Sequence, residues 1–168
     1  MTKKPTDTAS QASEVPKPPD VYFLDANVLM YAIGRDHPYK APCIEVLRQI
    51  EQEAIRVASS VEVLQEILHR YRSLREYEVA ATAFTQFKAL CEDILPVEPG
   101  DVDRAFLILE ETPELAVRDA IHAATMHHHG LKKILSTDTH FDLLEQIARV
   151  DPRVLSPRPQ EHTPSPMP

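Results

Sequence analysis

Glycine is scarce in this chain: three in 168 residues, at Gly34, Gly100 and Gly130, none near another. Phosphate-cradling and dinucleotide-binding loops need clustered glycines, so both classes are excluded. Cysteine is rarer still. Cys43 and Cys91 stand far apart with no Cys-x-x-Cys pair. That argues against a zinc cluster or a disulfide framework, and for buried thiols in a reducing compartment such as the cytoplasm. No apolar run reaches the about 18 residues of a membrane span, so none is expected. The first 20 residues carry lysines but no apolar stretch, unlike a signal peptide. No internal repeat is found. A basic surplus is missing as well, since the formal net charge is −8. Residues 21–150 hold 13 Lys and Arg against 21 Asp and Glu, so the body carries the whole imbalance. Any contact with nucleic acid must then use a local patch. An acidic surplus suits solubility, and it also suits a site for a hard cation.

Proline is plentiful and sits mostly at the ends. Of 15, four fall in residues 1–20 and six in residues 151–168. These ends read as flexible tails, 1–20 and a Pro-rich 156–168, around a folded body over 21–155. Within the body, Val21-Tyr22-Phe23-Leu24 is a short apolar run that ends in Asp25, with Asn27 two places on. Lys133-Ile134-Leu135-Ser136-Thr137-Asp138 repeats the arrangement. Such runs are strands buried on both faces. Further strands are expected at 55–58, at 93–97 on an edge because of Pro96, and weakly at 149–155. Helices are expected near 28–32, 40–53, 60–74, 79–90, 101–111, 115–129 and 139–147. Ser59 or Ser60 caps the third of these, with Glu62 completing a capping box if the cap is Ser59. Strands alternating with helices predict an α/β fold on a parallel sheet.

In such sheets chemistry collects beyond the carboxyl ends of the strands. Asp25 and Asp138 stand at two such ends, and they converge if their strands are neighbours. Asp119 lies in the first turns of a helix, on a face shared with Ala123 and Met126 that lets the helix pack close to the sheet. Each acid also has a plainer reading: Asp25 and Asp138 as helix caps, Asp119 as a partner of the helix dipole. Glu66 is weaker. A helical wheel places it opposite Val61, Leu64, Leu68 and Tyr71, towards solvent, and periodicity does not separate it from Glu62. If these acids meet, two carboxylates about 4 Å apart repel by roughly 4 kcal/mol at an effective dielectric near 20. A divalent cation or shared protons must then relieve them, and an oxygen cage suits Mg²⁺ or Mn²⁺.

The ordered set Leu24-Asp25-Ala26-Asn27-Val28-Leu29, then Ser60 with Glu66-Ile67-Leu68, then Arg118-Asp119-Ala120 with Ala124, then Leu135-Ser136-Thr137-Asp138 with Phe141 resembles PIN-domain proteins, most closely VapC-type toxins of toxin–antitoxin pairs. The likeness covers about residues 21–155. It implies a three-layer α/β/α fold with a central parallel sheet, and endoribonuclease activity dependent on Mg²⁺ or Mn²⁺. It also implies a homodimer and a cognate antitoxin whose peptide covers the site. The family's acids fall on Asp25, Glu66, Asp119 and Asp138, and this selects Glu66 over Glu62. Asp25, Asp119 and Asp138 would ligate the metal, with Glu66 direct or through water. Asn27, Ser136, Thr137, Asp142 and His122 are the candidates for orienting ligands or water. There are departures: Ala26 replaces the commoner Thr, a 20-residue extension precedes the first strand, and His140 stands where many relatives place a further acid, with Asp142 the nearest substitute.

Arg70, Arg72 and Arg75 form a basic patch that could meet RNA phosphates, with Tyr71 stacking on a base. A basic helix end satisfying the dipole is the alternative. His127-His128-His129 cannot all reach one ion from a regular helix and reads as a solvated end before Gly130. Two rival functions remain. A metal-dependent phosphatase of the haloacid-dehalogenase type wants a second acid where Asn27 stands. A non-catalytic PIN-like binding module would keep the fold and use the tails as ligands.

Overall fold

A computed structural model describes residues 20–156; both expected tails lie outside the described residues. Strand β1 (Val21–Leu24) leads into helix α1 (Ala26–Ile33) and then α2 (Lys40–Glu51). Strand β2 (Arg56–Ser60) is followed by α3 (Val61–Ser73) and α4 (Tyr77–Leu90). Edge strand β3 (Asp93–Leu95) leads to α5 (Pro99–Glu111) and α6 (Val117–His128). Strand β4 (Lys133–Leu135), a short 3-10 helix (Thr139–Leu143), β5 (Ala148–Val150) and α7 (Pro152–Leu155) complete the body. All strand pairings are parallel, in the order β3-β2-β1-β4-β5. The chain builds outward from β1 through β2 to β3, then returns to β1's other side with β4. Right-handed crossovers therefore set α1–α4 on one face and α5–α6 on the other. The result is the expected three-layer α/β/α fold.

β1 is buried because it lies at the centre of this stack. Phe23 and Leu24 are fully enclosed, beside Ile134 and Leu135 of β4 and Val57 of β2. On α6, Ala120, Ala123 and Ala124 are buried with Met126, the small side chains letting the helix lie close to its neighbours. That helix ends in a Schellman turn: Leu131 N–H reaches Met126 O and Gly130 N–H reaches His127 O, with Gly130 at φ +71°. His127, His128 and His129 are exposed there, as expected.

Some elements differ from the sequence reading. The weak strand over 149–155 is a strand only to Val150. Asp151 then accepts the Arg153 N–H, and Pro152 at the first helical position starts α7. The expected helix 139–147 is a single 3-10 segment. α5 opens at Pro99 rather than Asp101, which instead pairs with Glu98 in a capping box. The cap of α3 is Ser60, which accepts Val63 N–H, so no capping box through Glu62 forms. Ser59 is buried in β2 and donates to Leu24 O at 2.8 Å, tying the end of β1 to its neighbour. Tyr71 belongs to the core and cannot stack on a base.

Phe23 makes a clear test of where the core sits. Phe23→Ala is expected to lower unfolding free energy by about 3–5 kcal/mol in urea titrations. Ile44→Ala, on an exposed face, is expected to change it by no more than about 0.5 kcal/mol.

Candidate active site

The order of strands reverses between β1 and β4, and a crevice opens there beyond their carboxyl ends. Asp25 follows β1 directly. Its N–H binds Leu135 O at 3.1 Å, which extends the pairing of the two strands by one step. Asp25 occupies the cap position of α1 without making a side-chain cap bond, so the capping reading fails for it. Its Oδ2 instead accepts from Ser136 Oγ at 2.6 Å and from Asn27 Nδ2 at 2.5 Å.

Ser136 is the hub of this end. Besides donating to Asp25, its hydroxyl accepts Asn27 Nδ2 at 2.9 Å and Asp138 N–H at 2.9 Å. One donor and two lone pairs are all that a hydroxyl has. Asn27 is equally committed, since its Oδ1 accepts Thr137 N–H at 3.2 Å. Three of the residues expected to orient ligands, Asn27, Ser136 and Thr137, thus lock together around Asp25, joined by the backbone N–H of Asp138.

The other acids arrive from separate elements: Glu66 from the middle of α3, Asp119 from the first turns of α6, and Asp138 from the residue before the 3-10 helix. Glu66 does not face solvent as the wheel implied. Its apolar neighbours mark the side of α3 that faces the core, whereas Arg118 and His122 of α6 reach Glu66 on another edge of the helix. Ligand atoms of Asp25, Glu66 and His122 lie within 4.8 Å of one another, and so do those of Asp119, Asp138 and His140. The two trios share one field. Burial raises Asp119, the negative charges of Asp138, Asp25 and Glu66 add to the effect, and its carboxyl is pushed up to about 6. Burial likewise raises Asp25, against the lowering effect of His122 and the Ser136 bond. Glu66 goes the other way. Burial would raise it too, but His122 and Arg118 outweigh burial and hold it below the usual range.

Two residues of this site were named from sequence only as part of the family motif or as a departure from it, and given no role in the site. Arg118 Nη1 lies 3.3 Å from Glu66 Oε1 and remains exposed. His140 Nδ1 lies 2.8 Å from Asp138 Oδ1. Arg118 stands beside Asp119 in a helix's first turn, where a cation opposes the dipole; that misfit was the available signal. Asp138 does act as a cap, accepting His140 N–H at 2.9 Å. His122 is 1 % exposed, and neither ring nitrogen has a hydrogen-bond partner. Its closest carboxylate contact, Glu66 Oε2 at 3.8 Å, is electrostatic only. Asp142 does not join the cluster but pairs with Arg149 at 2.9 Å on the surface. Arg70, Arg72 and Arg75 are exposed at the end of α3, with Arg72 over the Tyr77 ring at 5.0 Å.

This donor set fits a divalent cation. Four carboxylates in one crevice carry uncompensated repulsion, and a buried imidazole without a partner faces them. The repulsion has a measurable sign. The native state holds a proton on Asp119 up to about 6, against 3.8 for a free side chain, so stability falls as pH rises between those values. In EDTA, Asp119→Asn is therefore expected to melt a few degrees above the wild type at pH 7.5. That corresponds to about 1 kcal/mol once solvent screening is allowed for. The gain should vanish near pH 4, as read by thermal melts across pH.

The PIN domain family model matches residues 22–147. The chain is 35% identical over 128 residues to ribonuclease VapC13 of Mycobacterium tuberculosis, covering 76% of this chain and 98% of that protein. Among solved structures, VapC20 of the same organism, a sarcin-ricin loop cleaving toxin, has a TM-score of 0.61 at 16% identity. The match covers 75% of this chain and 96% of that one. A toxin–antitoxin complex from Klebsiella pneumoniae matches at TM-score 0.54 and 20% identity over 78% of this chain and 97% of that one. At such identities the structural matches speak for the fold alone. Taken with the family match and the VapC13 identity, they complete the assignment: the chain belongs to the PIN-domain family, among its VapC-type ribonucleases.

Proposed function

We propose that this protein is a metal-dependent endoribonuclease, the toxin of a toxin–antitoxin pair, which hydrolyses RNA phosphodiesters with Mg²⁺ or Mn²⁺ held by Asp25, Asp119, Asp138 and Glu66. The observation that carries the reading is the meeting of four acids from distant parts of the chain in one crevice, close enough to raise Asp119 to about 6. The ribonuclease relatives supply the substrate class. A cation bound there supplies Lewis acidity, lowering the pKa of water and neutralising charge that builds on phosphate oxygens.

The chain's own residues do the positioning. Ser136 and Asn27 fix Asp25 Oδ2 and leave that carboxylate no freedom to turn away. The Ser136 hydroxyl is fully committed, so water rather than serine is the nucleophile. Arg118 pairs with Glu66 yet remains exposed, and its role in this reading is to meet a phosphate oxygen of the RNA. Arg70, Arg72 and Arg75 extend positive charge along the end of α3, for phosphates farther along the strand. The phosphatase reading lacks its second acid, because the amide of Asn27 is spent on Asp25, Ser136 and Thr137.

A cognate antitoxin is proposed from the Klebsiella pneumoniae complex, whose fold this chain shares. A homodimer is proposed as well. Phe106 and Leu107 on α5 and Val117 on α6, large apolar side chains on a packed helix pair, are each about 60 % exposed. The cytoplasm is the compartment that suits an RNA substrate. The free Cys43 and Cys91 agree with it, as does the lack of any helix among the described residues long and apolar enough to cross a membrane.

Purified protein is expected to cut structured RNA with Mn²⁺ or Mg²⁺ and not in EDTA. Asp25→Asn and Asp119→Asn should each lose at least about 100-fold in rate. Metal binding without cleavage of any RNA would instead favour the non-catalytic binding module. Phe106→Glu is expected to halve the mass seen by light scattering and to leave the helical content unchanged.

A further inference from the structure

His140 is the residue at which this chain's acidic crevice stops being all oxygen. Its ring lies against Asp138, with Nδ1 at 2.8 Å from Oδ1. It forms a trio with Asp138 and Asp119 whose ligand atoms all lie within 4.8 Å of one another. Capping of the 3-10 helix accounts for the backbone bond from His140 N–H to Asp138. It does not account for the ring, which is 56 % exposed and free to point into solvent. Neighbouring ligand atoms on an octahedron with bonds near 2.1 Å stand about 3 Å apart. The Asp138–His140 separation matches that spacing. The crevice also holds the buried His122, whose two ring nitrogens lack hydrogen-bond partners beside Glu66 and Asp25. That second imidazole is an independent sign that the pocket is built around a group not supplied by the chain.

We propose that His140 is an ion-selecting ligand, which with Asp119 and Asp138 makes a mixed nitrogen and oxygen site that takes Mn²⁺ in preference to Mg²⁺. Mg²⁺ is a hard ion that gives up water reluctantly and gains little from imidazole. First-row transition ions gain more from a nitrogen donor. An oxygen donor in place of His140 should therefore help both ions, while the imidazole separates them. The proposal rests on the metal-centre reading above and narrows it to one ion and one residue.

The test uses the full chain without RNA. Mn²⁺ and Mg²⁺ are titrated separately by calorimetry into wild type, His140→Asn and His140→Asp, and the Mn²⁺-loaded proteins are examined by pulsed electron paramagnetic resonance for coupling to nitrogen. Because His140 lies at the surface, both variants should fold, and circular dichroism checks this. Wild type is expected to show nitrogen coupling and a Mn²⁺ preference. Both variants should lose the coupling, and their ratio of Mn²⁺ to Mg²⁺ affinity should fall about tenfold. Coupling that persists in His140→Asn, or an unchanged affinity ratio, overturns the proposal and leaves the nuclease reading intact. Mn²⁺ bound through oxygen alone in wild type does the same. A wild type that binds neither ion defeats both.

Discussion

The Ser136 hydroxyl and the carboxylate of Asp25 stand 111 positions apart in the chain and 2.6 Å apart in space. That bond fastens the ends of β1 and β4 to each other where the strand order reverses. Asp25 N–H to Leu135 O and Ser59 Oγ to Leu24 O hold the same end from either side. This end is rigid because its floor is strand ends and the Asp25 carboxylate is held by two donors. Every other acid is placed relative to this fixed point.

Rigidity has a cost in repulsion. A core would avoid gathering Asp25, Glu66, Asp119 and Asp138, since nothing in the packing requires them to meet. Arg118 and His122 offset only part of the charge, and most directly at Glu66. Asp119 is left with its carboxyl pushed up to about 6. Instability of this kind is tolerated where a site needs it, because the charge that weakens the unliganded protein is what gives a cation its affinity. His140 and His122 belong to the two separate trios of the cluster, so its possible ligand atoms are not oxygen alone.

Much of this was legible before any coordinates. The apolar runs before Asp25 and Asp138 are strands because only a both-sides-buried strand needs so unbroken an apolar stretch, and Gly130 closes α6 because a Schellman turn needs its positive φ. Asp25 and Asp138 stood at strand ends, where parallel sheets place chemistry. Glu66 was legible only through family likeness. A helical wheel reports the average side of a helix that is apolar, and the site uses an edge of α3 that α6 approaches from elsewhere in the chain. Tyr71 could be read two ways: its flanking arginines suggest a surface ring, its helical spacing from Leu64 and Leu68 a core one, and the ring turns into the core while the arginines stay exposed.

Composition, apolar runs and the order of strands and helices depend on neighbours along the chain, so the sequence alone determined the layers, the parallel sheet and the two strand-end aspartates. Which acids share a field, that Asn27 and Ser136 spend their bonds on Asp25, that Asp142 turns away to Arg149, and that Arg118 and His140 enter the crevice were decided only by the tertiary structure. The reason is range. These are contacts of a few ångströms between groups on different elements, and no local pattern encodes where a distant helix will come to rest.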